Sequence, residues 1–170
     1  MAKNIKTLVL LIVFLLLILL IFYNSFFFDF DKIDHYRVTE MLPLDKENNS
    51  IEVENKEILS EIVYKKTPKK LNGVSFINNL NKITTKKQEI PASDFNDIKE
   101  IFKEQSCSNT IAMSCISVYR DILVFYKRNK IIGIAKICFN CKDHHIIGTT
   151  SNTSNFGQCG DYEKLNKILY

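Results

Sequence analysis

Two apolar stretches, Ile122-Leu123-Val124-Phe125-Tyr126 and Ile131-Ile132-Gly133-Ile134-Ala135-Lys136-Ile137, lie on either side of the polar tetrapeptide Lys127-Arg128-Asn129-Lys130. β-Branched and aromatic residues dominate both stretches, and a short polar break between two such runs is typical of a β-hairpin. Both stretches are apolar at successive positions, not only at alternate ones, so each strand should be buried on both faces. The pattern therefore predicts central strands that are covered by helices.

The segments around this hairpin extend the same fold. Turn-forming residues at 140–143 precede Ile146 and Ile147, which should begin a third strand. Ser93 and Asp161 can each cap an amphipathic helix, one before and one after the strands. The apolar faces consist of Phe95, Ile98, Ile101 and Phe102 in the first helix, and of Tyr162, Leu165, Ile168 and Leu169 in the second. Helices before and after an antiparallel meander predict an α+β domain.

The N-terminal region has a different character. Residues 8–23 are sixteen consecutive apolar or aromatic residues, and no charge falls between Lys6 and Asp29. A helix over residues 7–28 would be about 33 Å long, enough to cross the hydrocarbon core of a bilayer. Residues 24–28 contain no small-residue cleavage site, and no cysteine follows the apolar run as in a lipoprotein signal. We therefore predict an uncleaved transmembrane anchor over residues 1–28.

The charges around this anchor predict its orientation. Lys3 and Lys6 precede the apolar run, whereas Asp29, Asp31 and Asp34 follow it. The positive-inside rule then places the N-terminus in the cytoplasm and the bulk of the chain outside. Residues 29–50 are of mixed polarity and are predicted to be a tether. Residues 51–170 are predicted to be one extracytoplasmic domain.

The remaining composition excludes several function classes. Residues 29–170 contain 21 basic and 19 acidic residues, an ordinary surface charge that does not indicate a nucleic-acid partner. The chain has no P-loop, no G-x-G-x-x-G, no H-E-x-x-H and no G-x-S-x-G motif. Asp121, beside Arg120 at the start of a predicted strand, could form an ion pair or hold a ligand. We assign no catalytic residue and favour a non-enzymatic role.

The five cysteines permit three interpretations. Cys107, Cys115, Cys138, Cys141 and Cys159 all lie in the last third of the chain. Outside the cytoplasm they could form disulfides, and their odd number leaves at least one unpaired. The C-x-x-C pair, Cys138 and Cys141, could instead bind zinc, with Cys115 and Cys159 or one of His144 and His145 completing the site. Thioredoxin-like redox chemistry is the third interpretation, although no helix is predicted after the pair. The two adjacent histidines are otherwise expected in a solvated turn.

Several stretches in the C-terminal third resemble uncharacterised envelope-associated proteins of Bacteroidota-type bacteria. They are residues 119–126 (YRDILVFY), 133–141 (GIAKICFNC), 155–157 (NFG) and 160–165 (GDYEKL), and the similarity covers about residues 115–169. The resemblance implies a bacterial envelope setting and no site roles. Together with the orientation predicted from the charges, it gives an inner-membrane anchor with the domain on the periplasmic side. Cys107 falls outside the resembling region, which makes it the expected unpaired cysteine.

Two functions of different classes follow from these observations. The first is a single-pass envelope protein whose small domain is a binding or structural module, attached to the membrane by its N-terminal helix. The second is a metal- or thiol-redox protein that uses the Cys138/Cys141 pair, with zinc as the possible cofactor. An immunity-type protein partner at the membrane is a third possibility, and it rests only on size and anchoring.

Overall fold

The computed structural model describes residues 10–16, 26–39, 53–83, 86–107 and 114–170. Its strands are β1 (Lys32–Arg37), β2 (Lys86–Glu89), β3 (Asp121–Lys127), β4 (Lys130–Cys138) and β5 (Asp143–Ile147). Its helices are α1 (10–16), α2 (Val53–Leu59), α3 (Gly73–Ile83), α4 (Phe95–Ile101) and α5 (Asp161–Leu169). A π-helical turn (Ser60–Tyr64) continues α2, and a 3₁₀ turn (Ala92–Asp94) precedes α4.

The five strands form one antiparallel sheet in the order β2-β1-β3-β4-β5. The predicted hairpin is confirmed as β3 and β4, which are joined at Arg128 and Asn129 with φ of 48° and 62°. Successive positive φ values give the hairpin turn whose twist matches that of its strands. The predicted third strand is confirmed as β5, and the predicted helices are confirmed as α4 and α5. The described chain is therefore an α+β domain.

Each face of the sheet has its own hydrophobic core. Leu123 and Phe125 of β3 point to the face that packs against α4 and α5. Ile122 and Val124, at the alternate positions, point to the face that packs against α2, its π-helical turn and α3. All four side chains are fully buried. The expectation that these strands are buried on both faces is confirmed.

The N-terminal boundary of the domain differs from the predicted one. Residues 26–28 were assigned to the anchor, but Phe27 and Phe28 are buried in the core beside α4, and the Phe27 N–H donates to Phe102 C=O at 2.8 Å. Residues 29–39 were assigned to a tether, but they include β1, which lies between β2 and β3. The apolar triplet at 26–28 suits a core as well as a bilayer, which is why the pattern misassigned it. Residues 40–50 lie outside the described residues.

The rest of the predicted anchor is only partly described. Residues 10–16, called α1 here, are helical; all seven are apolar and their side chains are exposed. Within the described residues, no helix combines the length and hydrophobicity needed to cross a membrane. Residues 1–9 and 17–25 of the predicted anchor lie outside them.

The middle of the chain was the least predictable from its sequence. From Val53 onward the chain forms α2 and its π-helical turn. A loop follows this turn and ends where α3 begins, at Gly73. Neither α3 nor β2 was predicted. The strand β2, Lys86-Lys87-Gln88-Glu89, has no apolar residue by which it could be recognised.

If residues 26–28 belong to the domain, we expect Phe28→Ala to lower the free energy of unfolding by about 3–5 kcal/mol, the usual cost of truncating a buried aromatic side chain. Phe28 stacks on Phe125 with ring centroids 4.3 Å apart. Phe14→Ala is the matched control because Phe14 is 63% exposed, and it should change stability little. Urea unfolding of the full chain in mild detergent measures both. Equal effects of the two substitutions would contradict this boundary.

Candidate functional site

A cavity of about 550 Å³ lies at the end of the sheet where β1 ends and β3 begins. Segment 114–120, the turn after β4 and the last turn of α5 complete its wall. Its charged side chains are Arg37, Arg120 and Asp121, and it also contains three of the cysteines, Cys115, Cys138 and Cys141. A larger cavity, of about 880 Å³, lies between α2 and α3, and none of the five cysteines lines it. We take the smaller cavity as the candidate site because buried polar and reactive groups converge there.

Four of the cysteines are joined in pairs. Cys115 is bonded to Cys141 with Cα atoms 5.9 Å apart, and Cys107 is bonded to Cys159 with Cα atoms 5.6 Å apart. Cys138 is the free cysteine, and it is buried. The expectation that Cys107 is the unpaired one is therefore wrong. A contact of Gln105 explains why Cys107 lies near Cys159. The Gln105 side-chain N–H donates to Asp161 at 3.0 Å, which brings the segment before Cys107 to the start of α5, close to Cys159 in the sequence.

The structure does not bring together the four cysteines proposed as zinc ligands. Cys115 and Cys141 are bonded to each other, Cys159 is bonded to Cys107, and only Cys138 is a thiol. Zinc binds thiolates, which a disulfide does not provide. Among the residues that the structure describes, no group of three or more His, Cys, Asp or Glu side chains could hold a metal ion. A zinc ion does not fit this arrangement.

The free thiol of Cys138 lies beside the Cys115–Cys141 disulfide. Its sulfur accepts hydrogen bonds from the backbone N–H of Val118 at 3.3 Å and from that of Cys141 at 3.4 Å. Cys138, Cys141 and Tyr119 pack together as a small buried cluster. The C-x-x-C pair thus consists of one thiol and one half of a disulfide.

A buried carboxylate, Asp121, connects the sheet to the end of α5. Asp121 Oδ1 accepts hydrogen bonds from His35 Nε2 at 2.9 Å and from the hydroxyl of Tyr170. The Gln88 side-chain N–H donates to His35 Nδ1 at 3.2 Å, which assigns the ring proton to Nε2. Burial and the hydrogen bond to Asp121 raise the pKa of Tyr170. This network holds one side of the cavity in place.

A second carboxylate, Asp143, binds two side chains of segment 114–120. It accepts hydrogen bonds from Ser117 Oγ and Tyr119 Oη, each at 2.6 Å, and from Lys66 Nζ at 2.9 Å. The backbone N–H of His144 also donates to it, at 2.8 Å. Burial raises the pKa of Asp143, but these hydrogen bonds outweigh burial and hold the pKa well below its usual range. Segment 114–120 is thereby attached to the start of β5.

The two adjacent histidines lie on β5 and not in a solvated turn, so that interpretation is wrong. They point to opposite faces of the sheet, as adjacent residues of a strand must. His144 Nε2 donates to Thr153 C=O at 3.0 Å, and its Nδ1 accepts from the Tyr162 hydroxyl at 2.9 Å. His145 Nε2 donates to Pro68 C=O at 2.8 Å. Burial lowers the pKa of both histidines, which hold the surrounding loops to the sheet.

Two arginines come from neighbouring strands at this end of the sheet. Arg37 ends β1 and is directly opposite Asp121 of β3. Its guanidinium carbon lies 4.3 Å from the centroid of the Tyr170 ring. Arg120 precedes β3, and its C=O accepts from the Val38 N–H at 2.9 Å. The sequence singled out Arg120 and Asp121, but no local pattern indicated Arg37, His35 or Tyr170.

Comparison with known proteins gives no match. No protein-family model, no curated protein and no solved structure is significantly similar to the chain.

On the face of the sheet that packs against α2 and α3, β4 carries a fully buried lysine. Lys136 Nζ donates to the backbone C=O of Lys65 at 2.6 Å and of Thr67 at 2.8 Å. It also lies 5.0 Å from the centroid of the Tyr119 ring. Burial lowers the pKa of Lys136 to about 7. At neutral pH this side chain therefore exists partly as a neutral amine that still donates to both carbonyls.

We expect the free energy of unfolding to increase as the pH rises from 7 to 9. The unfolded chain keeps the Lys136 proton up to its ordinary pKa of 10.5, whereas the folded chain releases it near pH 7, so raising the pH favours the folded state. Lys136→Met should remove this slope. Lys130→Met, at an exposed position, should retain it. Urea unfolding at a series of pH values measures the slopes, and equal slopes in the two variants would contradict the assignment.

Proposed function

We propose that this chain is a membrane-anchored protein of the bacterial envelope whose extracytoplasmic α+β domain binds a ligand in the cavity at the end of β1 and β3. The observation that carries this proposal is the cavity, where Asp121, two arginines and three cysteines converge from four separate segments. Binding sites are typically concave, with a few polar groups on a largely preformed wall. Here the Asp121 and Asp143 networks and the Cys115–Cys141 disulfide hold that wall.

The exposed apolar residues of α1 support the proposal of a membrane anchor. Every residue of α1 is apolar, and the exposed fraction ranges from 48% for Ile12 to 75% for Leu10. Apolar surface in water costs about 25 cal/mol for each Å², so a helix that is apolar all round needs an apolar environment. Because α1 lies within the uninterrupted apolar sequence of residues 8–23, a lipid bilayer is the environment we propose.

The disulfides support an extracytoplasmic location for the domain. Cys107–Cys159 and Cys115–Cys141 both lie after the proposed anchor. Disulfides persist in the oxidising envelope and are rare in the reducing cytoplasm. This agrees with the orientation that Lys3 and Lys6 predict by the positive-inside rule.

We expect the full chain, expressed in a Gram-negative bacterium, to stay in the membrane pellet after carbonate extraction. In spheroplasts, added protease should reach the domain. Leu11→Lys combined with Leu15→Lys should release the chain, because each charge near the bilayer centre costs about 2.5–3.5 kcal/mol. Val74→Lys, at another exposed apolar residue, is the control and should remain in the pellet. A wild-type chain in the supernatant would contradict the anchor.

A second candidate function, thiol–disulfide exchange, is favoured by the position of Cys138. Its thiol lies beside the Cys115–Cys141 bond, and the backbone N–H of Cys141 donates to its sulfur. In the proposed step the Cys138 thiolate, having given its proton to water, attacks the Cys141 sulfur. The bond to Cys115 breaks, and Cys115 leaves as a thiolate that takes up a proton. The products are a Cys138–Cys141 disulfide and an exposed thiol at Cys115, with no net oxidation.

If this exchange occurs, mild alkaline treatment should move the free thiol from Cys138 to Cys115. Alkylation of the full chain in acid denaturant, followed by peptide mass analysis, locates the thiol before and after treatment. Cys138→Ser should keep Cys115 and Cys141 bonded under the same conditions. Cys107 and Cys159 provide the internal control, since their disulfide has no thiol beside it in the described structure. A thiol that stays on Cys138 would show that the cysteine is only a core residue.

A further inference from the structure

Arginine is rare in this chain, and most of its arginines lie at one place in the fold. Of the 23 basic residues only three, Arg37, Arg120 and Arg128, are arginines. Two of these three line the candidate cavity. The third lies in the exposed β3–β4 turn, where its backbone N–H donates to Asp31 at 2.8 Å. Lysine thus supplies nearly every other positive charge, and arginine is concentrated at one site.

The chemical difference between the two residues indicates what this concentration is for. A guanidinium is planar and always charged, and it presents five N–H donors in a fixed arrangement that matches the two oxygens of a carboxylate or phosphate. A lysine ammonium provides the same charge without this geometry. At a solvated surface the positive charge alone is sufficient, and lysine provides it elsewhere in this chain. Two arginines at one cavity therefore indicate recognition of an oxyanion.

The positions of the two guanidinium-bearing residues fit this role. Arg37 and Arg120 are brought together at one end of the sheet by the pairing of β1 with β3. The Tyr170 ring supports the Arg37 guanidinium. Stacking on an aromatic ring leaves the in-plane N–H donors of a guanidinium directed sideways. With five donors each, the two arginines can keep partners within the protein and still donate to a ligand.

The other charged group of the cavity, Asp121, carries one negative charge against the two positive charges of the arginines, so the charged side chains of the lining remain net positive. Asp121 Oδ1 already accepts from His35 Nε2 and from the Tyr170 hydroxyl. The side chains of Ile116, Ile137 and Phe139 add an apolar part to the wall. The cavity thus offers donors for an oxyanion beside a surface for an apolar body.

We propose that this cavity binds a small organic oxyanion, a carboxylate or phosphate carried on an apolar group, through Arg37 and Arg120. The proposal rests on the binding function proposed above and adds the chemical class of the ligand. The anionic group meets the two guanidinium groups, and the apolar group packs on the aliphatic and aromatic wall. Arg128 has no part in it.

The test uses the full chain in detergent micelles with its disulfides intact. Benzoate and phenyl phosphate are the probes, because they share one apolar body and differ in the oxyanion. Benzyl alcohol is the neutral counterpart and inorganic phosphate lacks the apolar body. Titrations followed by ¹H–¹⁵N correlation spectra give Kd and locate the shifted amides. At least one of the two aromatic anions should bind with shifts around segment 114–120 and the end of α5.

Arg37→Gln and Arg120→Gln should each weaken that binding by about tenfold or more, the loss expected when charge-assisted hydrogen bonds are removed. Arg128→Gln is the matched control and should leave Kd unchanged. Arg120→Lys keeps the charge but loses the paired donors, so its Kd should fall between those of the wild type and Arg120→Gln. Intact mass and the unliganded spectrum verify the fold of each variant. If a glutamine variant is misfolded, the Kd of Arg120→Lys is the measurement that tests the proposal.

Two outcomes would overturn the proposal in distinguishable ways. If benzyl alcohol binds as tightly as benzoate and phenyl phosphate, the cavity is a ligand site but not an oxyanion site, and the proposed function survives. If no probe shifts the amides around the cavity, the oxyanion proposal fails together with the binding function for these ligands. Equal weakening by Arg128→Gln would show a general charge effect, and it would also overturn the proposal.

Discussion

The pairing of β1 with β3 is the constraint on which the rest of the structure depends. It places β3 between β1 and β4, with helices covering both faces of the sheet. A sheet buried on both faces admits a polar side chain only if the protein itself satisfies its hydrogen bonds. Asp121 meets this condition through His35 and Tyr170, and Lys136 meets it through two backbone carbonyls. The protein itself therefore holds both of these buried polar groups in fixed positions.

The candidate site follows from this arrangement. No single segment contains it, because its wall is made from the end of β1, segment 114–120, the turn after β4 and the last turn of α5. The Cys115–Cys141 disulfide and the Asp143 hydrogen bonds hold the irregular segment against the sheet. A wall fixed in this way loses little conformational entropy when a ligand binds, which is the physical advantage of a preorganised site. The Cys138 thiol lies at the same location, so the proposed binding and the proposed thiol–disulfide exchange would share one site.

Residues whose partners are close in sequence could be predicted, and residues whose partners are distant could not. The hairpin, β5, α4 and α5 follow from local apolar periodicity, and all were expected. The strand β1, Lys32-Ile33-Asp34-His35-Tyr36-Arg37, mixes polar and apolar residues, and only its pairing with β3 makes it a strand. Cysteine pairing depends on how loops approach one another, so the extent of the resembling region indicated the wrong unpaired cysteine. The sequence singled out Asp121 and the C-x-x-C pair, but Arg37 and Tyr170 reach them only through the sheet register and the docking of α5.

The position of β1 between β2 and β3 also has a consequence for synthesis of the chain. The side chains of His35 and Asp121, which join β1 to β3, are 86 residues apart in the sequence. While the ribosome makes that interval, Phe27 and Phe28 have no core to enter and both edges of β1 lack their strands. Exposed apolar residues and unpaired strand edges are the features through which nascent chains aggregate. The residues of this domain that leave the ribosome first are thus buried among the last, and an export or folding chaperone would have most to protect at its N-terminal end.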